Sequence, residues 1–361
     1  MAKQGGGGDP TESEEGGCGC AAGLGTARQG RGPATKGEIA GASDESASAP
    51  MQTENSSDAK IPEDMVFLAG GKFRMGSDLN ILPGDAEGPA RAVQVRPFYM
   101  DRFAVSNEAY AAFVADTNYQ TASERYGWSF VFELMLTRGE RDAIDQAVAS
   151  APWWLPVEGA SWRHPEGPRS NVLGDGRANH PVTHVSWGDA AAFCRWRGGA
   201  RLPTEAEWEF GAQGGAPGRL YPWGGTLMPK GVHRANLWQG QFPQRNDAED
   251  GFMFTAPVDA FGPQNSYGLH NIVGNVWEWV EDWWTLDRSV LSEDNPTGPP
   301  AGKEKVKKGG SFLCHMSHCY RYRVAARTKT DIDSGTSNQG FRCVRDAGDG
   351  APAGGSLAKV Q

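Results

Sequence analysis

The sequence predicts an α+β fold with little regular secondary structure, and three observations carry that reading. Glycine and proline are abundant, at 49 and 23 of 361 residues, which favours turns and loops over long elements. Short stretches of helix-capping pattern and of two-residue apolar alternation both occur, so helices and strands are mixed. The 13 Trp, 8 Tyr and 15 Phe all fall after residue 60, enough large rings to hold loops by packing rather than by ladders.

Residues 1–60, with runs such as GGGGDPTESEEGG and GASDESASAP, lack the apolar surface that offsets ordering entropy, and are expected to be a disordered tail. Residues 61–346 are expected to form a single domain, although a prior of ~150 residues per domain would allow two. Residues 347–361 read as a second tail. Lys and Arg total 35 against 44 Asp and Glu, a net charge of -9, which speaks against nucleic acid or an anionic membrane surface as the main partner. Mean hydropathy is -0.53, and no apolar run reaches the ~18 residues that would span a bilayer. The start, MAKQGGGG, shows no secretory signal pattern.

Along the body, Met65–Ser77 has two short apolar runs around Gly70-Gly71 and is expected to be a hairpin. Ala92–Ser106 alternates like a strand, broken by Pro97. Ser106 is positioned to cap a helix through Asn118, with Tyr110, Phe113 and Val114 at helical spacing. Ser186 and Asp189 make a capping box for a helix ending near Gly198. Thr204 and Glu207 make another, closed by Gly214-Gly215. Residues 215–345 break into short apolar pieces between Gly, Pro, Asn and Asp. Short strands and long ordered loops are expected there, and no 20–50-residue period suggests a repeat architecture.

Six cysteines carry the first candidate chemistry. Cys18 and Cys20, separated by Gly19, are too close to bridge each other easily, and would be available to another chain. Cys314 and Cys319 are spaced C-x4-C, which brings the sulfurs together only if His-Met-Ser-His turns the chain. A Cys-His-His-Cys zinc site is disfavoured, because four ligands within six residues can hardly surround a tetrahedral ion. Two thiolates suit Cu(I) or reversible disulfide chemistry, with Arg321 and Arg323 near enough to favour thiolates. An ordinary structural disulfide stands open beside that reading. Asn246–Phe252 resembles an EF-hand start but has Ala248 at a ligand position. Asp250 with Asn236, and Asn271 with Glu278 around Gly274, could hold calcium or be solvated turns. Trp153, Trp154, Trp187, Trp208, Trp238, Trp277, Trp279, Trp283 and Trp284 could line a groove or staple the core. H-E-x-x-H, G-x-S-x-G and P-loop motifs are absent. Asn55-Ser56-Ser57 is a glycosylation sequon in the tail.

Taken together, RLPTEAEWEF (Arg201–Phe210), HPVTHVSWGDAAAFC (His180–Cys194), NIVGNVWEW (Asn271–Trp279), KKGGSFLCHMSHCYRYR (Lys307–Arg323), SNQGFRC (Ser337–Cys343) and APWWLPVEGASWRHPEGP (Ala151–Pro168) resemble the formylglycine-generating enzymes, the sulfatase-modifying oxidases, in their eukaryotic branch. The likeness runs from about Pro62 to Asp346. It implies a C-type-lectin-like, sulfatase-modifying factor fold. It also implies conversion of the cysteine in a sulfatase C-x-P-x-R segment to formylglycine with O2, on sulfatase polypeptides not yet folded. By the same resemblance Cys314 and Cys319 would bind Cu(I), with Cys319 the more exposed and engaging substrate. Ser311 would stand beside them, and Trp277, Arg321, Asn338 and Ser129 would line the pocket. Two structural Ca2+ are implied. One would take Asn236, Asp250 and the carbonyls of Leu237 and Phe252; the other Asn271, Glu278 and the carbonyls of Gly274 and Val276. Cys194 and Cys343 correspond to a family disulfide.

Several positions depart from the family. Ala212 and Val324 stand where animal relatives have a second disulfide, His318 replaces a tyrosine, and Asn118 is not a sequon. Cys18-Gly19-Cys20 resembles a pair in the animal enzymes, pointing to the endoplasmic reticulum lumen and to a monomer or a disulfide-linked dimer. Two other readings are weighed by the residues present. A non-catalytic sulfatase-binding paralogue would lack the Cys314/Cys319 pair. An iron-dependent sulfoxide synthase would need a helical domain that residues 1–60 cannot supply.

Overall fold

The computed structural model describes residues 64–289 and 291–348; the expected tails, Cys18, Cys20 and the Asn55 sequon lie outside them. The chain runs β1 (Met65–Leu68), β2 (Gly71–Met75), β3 (Arg91–Val95), β4 (Phe98–Asp101), α1 (Asn107–Thr117), α2 (Ala122–Tyr126), β5 (Trp128–Phe132), α3 (Arg138–Asp142), β6 (Trp154–Glu158), α4 (Trp187–Trp196), α5 (Glu205–Gln213), β7 (Trp277–Trp283), β8 (Glu304–Lys308), β9 (Thr328–Asp331), β10 (Gln339–Gly340) and β11 (Val344–Asp346). This is the α+β, loop-rich architecture the composition predicts.

The expected hairpin at Met65–Ser77 does not form. β1 instead pairs antiparallel with β4, Met65 facing Asp101, while β2 pairs with β3. Gly70 is where the chain leaves one sheet for the other. Its φ is +65°, and a Cβ there would lie 2.4 Å from the Val95 carbonyl oxygen, so only glycine fits the crossing. The break at Pro97 falls between β3 and β4, as its missing N–H requires.

The largest sheet has the order β10-β7-β8-β9, with β10 parallel to β7 and the other pairs antiparallel. β4 is the middle strand of a second sheet, between β1 and β11. All three predicted helices form. Ser106 Oγ accepts from the Ala109 amide at the start of α1, and full capping boxes open α4 and α5. Every residue of α5 is buried, so its three glutamates need partners. Glu205 meets Arg327 and Lys308, Glu207 meets Arg201, and Glu209 meets Lys308.

The tryptophans mostly staple the core. Trp154, Trp162, Trp208, Trp238, Trp277 and Trp279 are all fully buried. A disulfide joins Cys194 on α4 to Cys343 beside β11 across 149 residues, worth roughly 5 kcal/mol in the chain-entropy account.

Candidate active site

The late loop that follows β8 builds the site. Gly309 and Gly310 have φ of +95° and +74°, and a Cβ on Gly310 would lie 2.9 Å from Tyr322 Cα. That close approach sets Ser311 against the segment after Cys319. The Cys314 amide then donates to the Ser311 carbonyl, and the Ser311 amide donates back to Cys314 Sγ at 3.4 Å. The His318 and Cys319 amides both donate to the His315 carbonyl, at 3.1 and 2.8 Å. The chain therefore turns between the two cysteines. It leaves Met316 and Ser317 at an exposed tip and carries Cys319 back into the core.

Cys314 and Cys319 are not disulfide-bonded, and both are fully buried. They belong to the same apolar cluster as Tyr322. The Tyr322 phenol is pushed up first by burial, then by Tyr320, Cys314 and Cys319. Among the described residues, no group of three or more His, Cys, Asp or Glu is arranged to hold a metal ion.

One expectation is corrected. Cys319 is no more exposed than Cys314, and it is Cys314 that borders a cleft of about 240 Å³, with Leu227, Trp238, Met316 and Tyr322 among its walls. The cause is the turn itself, whose last hydrogen bond draws Cys319 inward.

A hydrogen-bond relay supports Ser311. Asn338 Nδ2 donates to Ser311 Oγ at 2.9 Å, and Thr336 Oγ1 donates to Asn338 Oδ1 at 2.8 Å. The Trp277 amide, on β7, donates to the Asn338 carbonyl, which fixes the relay to the main sheet. Ser129, on β5, donates to the Gly335 carbonyl at 3.0 Å, one residue before Thr336. The structure therefore gathers Ser311, Cys314, Cys319 and Asn338, with Trp277 and Ser129 holding the edges.

Arg321 and Arg323 are each paired with a carboxylate. Arg321 makes a bidentate pair with Asp85, and Arg323 makes one with the buried Glu87. Each positive charge is met by a carboxylate at 2.6 Å. His318 stacks on Phe242 with ring centroids 3.7 Å apart, and its Nε2 lies 2.8 Å from the Leu313 carbonyl.

His184 is a residue that motif reading missed. It has a positive φ of 59° and sits fully buried. Its Nδ1 is 2.8 Å from Ser129 Oγ. Because that hydroxyl donates to Gly335, His184 is the donor, which fixes the tautomer. Burial, then the charge of Arg177, pushes its pKa from 6.5 down to about 3. The unfolded chain takes up a proton near 6.5 while the folded one does not. This part of the stability is thus complete above that pH and is lost as pH falls toward 3. The expected slope is up to about 1.4 kcal/mol per pH unit. Urea melts across pH 4–7 should show it, and His184→Asn, tolerated at positive φ, should remove it. An unchanged slope in that variant would assign the acid sensitivity elsewhere.

The calcium candidates show a shared sign. Asn236 Oδ1 and Asn271 Oδ1 are buried with no hydrogen-bond partner, although both amide nitrogens are bonded. Asp250 accepts from the Leu237 and Phe252 amides at 2.9 and 3.0 Å, which closes the first loop. At the second, Glu278 already accepts from Arg342 and from Trp208 Nε1, so a cation there would share the carboxylate.

Comparison with known proteins agrees with this architecture. A family model described as the sulfatase-modifying factor enzyme 1-like domain matches residues 51–347. The formylglycine-generating enzyme of Bos taurus is 58% identical over 285 residues, covering 79% of this chain and 75% of that protein. The one from Thermomonospora curvata is 53% identical over 292 residues, covering 80% and 95%. The inactive C-alpha-formylglycine-generating enzyme 2 of Bos taurus is 45% identical, covering 79% and 88%. The structure of PvdO from Pseudomonas aeruginosa shares the fold, with a TM-score of 0.56 at 23% identity, covering 78% of this chain and 94% of that one. With the matched domain spanning nearly the whole described body, the chain belongs to the formylglycine-generating, sulfatase-modifying factor family.

Proposed function

We propose that this chain oxidises the cysteine of a sulfatase C-x-P-x-R segment to formylglycine with O2, and so activates sulfatases. The observation that carries the reading is the turn that buries Cys314 and Cys319 beside Tyr322, with the Ser311–Asn338 relay against it. The donor chemistry fits Cu(I): two soft sulfurs in a buried setting. Cys314 and Cys319 would hold the ion, which when bound supplies the one-electron chemistry with O2 that side chains lack. The protein's own part is positional. The Ser311 amide supports negative charge on Cys314 Sγ, and Asn338 and the Leu313 amide orient the Ser311 hydroxyl. Burial of both sulfurs keeps water away from them.

The rival, a sulfatase-binding protein without turnover, has support in the inactive relative at 45% identity. The higher identity to enzymes and the presence of both cysteines favour catalysis. Incubation of the chain with a C-x-P-x-R peptide, O2, a thiol reductant and Cu(I) should yield a peptide aldehyde, read by mass spectrometry. Tight peptide binding with no aldehyde would instead support the binding protein.

We also propose a calcium ion on Asn236, Asp250 and the carbonyls of Leu237 and Phe252, and a second on Asn271, Glu278 and the carbonyls of Gly274 and Val276. The orphaned asparagine oxygens support both. A ligand present at about a hundred times its Kd adds ~2.7 kcal/mol. Chelation should therefore lower Tm by roughly 5–10 °C, with recovery on added Ca2+. Asn236→Leu should blunt that response. A Tm indifferent to chelator would remove the ions. The Cys194–Cys343 bridge supports an oxidising compartment, which fits the endoplasmic reticulum lumen. Pairing of two chains through Cys18 or Cys20 belongs to the same reading.

A further inference from the structure

The geometry points to a Cu(I) acquisition site in the cleft that Cys314 lines, built on Met228 and Met316, with His233 and His315 also on its walls. This inference rests on the proposal that Cys314 and Cys319 hold Cu(I). It adds how the ion reaches two sulfurs that are themselves closed to solvent.

Three facts on the molecule converge. Cys314 and Cys319 are both fully buried, so a hydrated or chelated metal cannot meet them directly at the surface. Cys314 lines the cleft of about 240 Å³, and so do Met228, His233, His315 and Met316. The methionines are out of place by the usual rule, since Met is ordinarily among the buried side chains. Met316 is 68% exposed and Met228 37%, whereas Met65, Met75 and Met100 are in the core. Of the three exposed methionines among the described residues, two stand on this one cleft, and one of them is two residues from Cys314.

Thioether sulfur is a soft, neutral donor that selects Cu(I) over Zn2+, Ca2+ and Mg2+, and imidazole adds a second donor type suited to copper. Neutral thioethers bind more weakly than a thiolate pair, which is what a loading station needs. The ion is held at the rim in exchange with its carrier, then passes down a gradient of donor strength to Cys314 and Cys319. No oxidation state changes in the transfer; the thiol protons leave to solvent or buffer as the thiolates take the metal. An apolar reading of the two side chains gives no reason for thioethers over leucine.

The test is anaerobic transfer of Cu(I) from a coloured bathocuproine disulfonate complex to the full-length chain, followed by stopped-flow absorbance. It compares the wild type with Met228→Leu/Met316→Leu, a volume-conserving change that the fold should accept. The expected result is uptake slowed by about tenfold or more in the variant, with the equilibrium affinity set by the cysteines unchanged. Uptake at the wild-type rate in the double variant overturns the acquisition site, whatever its turnover. A fall in equilibrium affinity to match the slower rate would also overturn it, by making the methionines part of the final site. A wild-type chain that takes no Cu(I) fails at the earlier reading and removes both.

Discussion

Replacing Cys319 or Cys314 with serine is expected to reduce aldehyde formation on a C-x-P-x-R peptide by at least about a thousandfold. A hydroxyl is nearly the size of a thiol, but it is a hard, poorly acidic donor and does not hold a soft monovalent ion. Both positions are fully buried, so the substitution leaves the cluster around Tyr322 close to its original volume. Circular dichroism and the thermal melt should remain near those of the parent. The two variants should fail alike, because each removes half of one donor pair. The structure alters one part of the expectation for Cys314, which borders the cleft while Cys319 does not. Alkylation by a small reagent entering along that cleft should therefore reach Cys314 before Cys319. Unimpaired turnover in either serine variant would end the assignment of the pair.

The second large effect is on stability. Arg342→Met is expected to lower the free energy of unfolding by about 3–5 kcal/mol. Arg342 and Glu278 are both fully buried. The guanidinium meets both carboxylate oxygens, and it also donates to the carbonyls of Asp101 and His270. Methionine fills the space but leaves Glu278 charged and partly uncompensated, which is the costly way to break a buried pair. Urea unfolding should show a lower midpoint with an unchanged slope. With chelator present in all samples, so that no cation offsets Glu278, the double change Arg342→Met/Glu278→Leu should recover part of the loss, because it removes the uncompensated carboxylate. A single-variant loss below about 1 kcal/mol would mean that the pair is solvated or redundant.

What the sequence made legible follows from the range of each interaction. α1, α4 and α5 were readable because caps and apolar spacing are local: Ser106, Ser186 and Thr204 each act within three residues. α2 and α3 carry full capping boxes at Thr121 and Thr137, but five residues show no period. The hairpin at Met65–Ser77 was misread because β1 and β2 find partners further along the chain, and a Gly-Gly pair between apolar runs looks alike in both cases. The turn from Cys314 to Cys319 was legible from its spacing. The pairing of Arg321 and Arg323 with carboxylates was not, since Asp85 and Glu87 are each 236 residues away. The support of Ser129 by His184 has the same cause, a contact across 55 residues with no local pattern. The residues that carry chemistry were thus visible where they cluster along the chain, and their supports were hidden where the fold brings them in.

The measurement that bears most directly on the central claim is an anaerobic Cu(I) titration of the full-length chain against a chromophoric chelator, with Cys314→Ser and Cys319→Ser in parallel. One tightly held equivalent in the parent, lost in both variants, is the predicted result. Equal binding in all three proteins, or none in the parent, would contradict the claim that these two sulfurs form the metal centre.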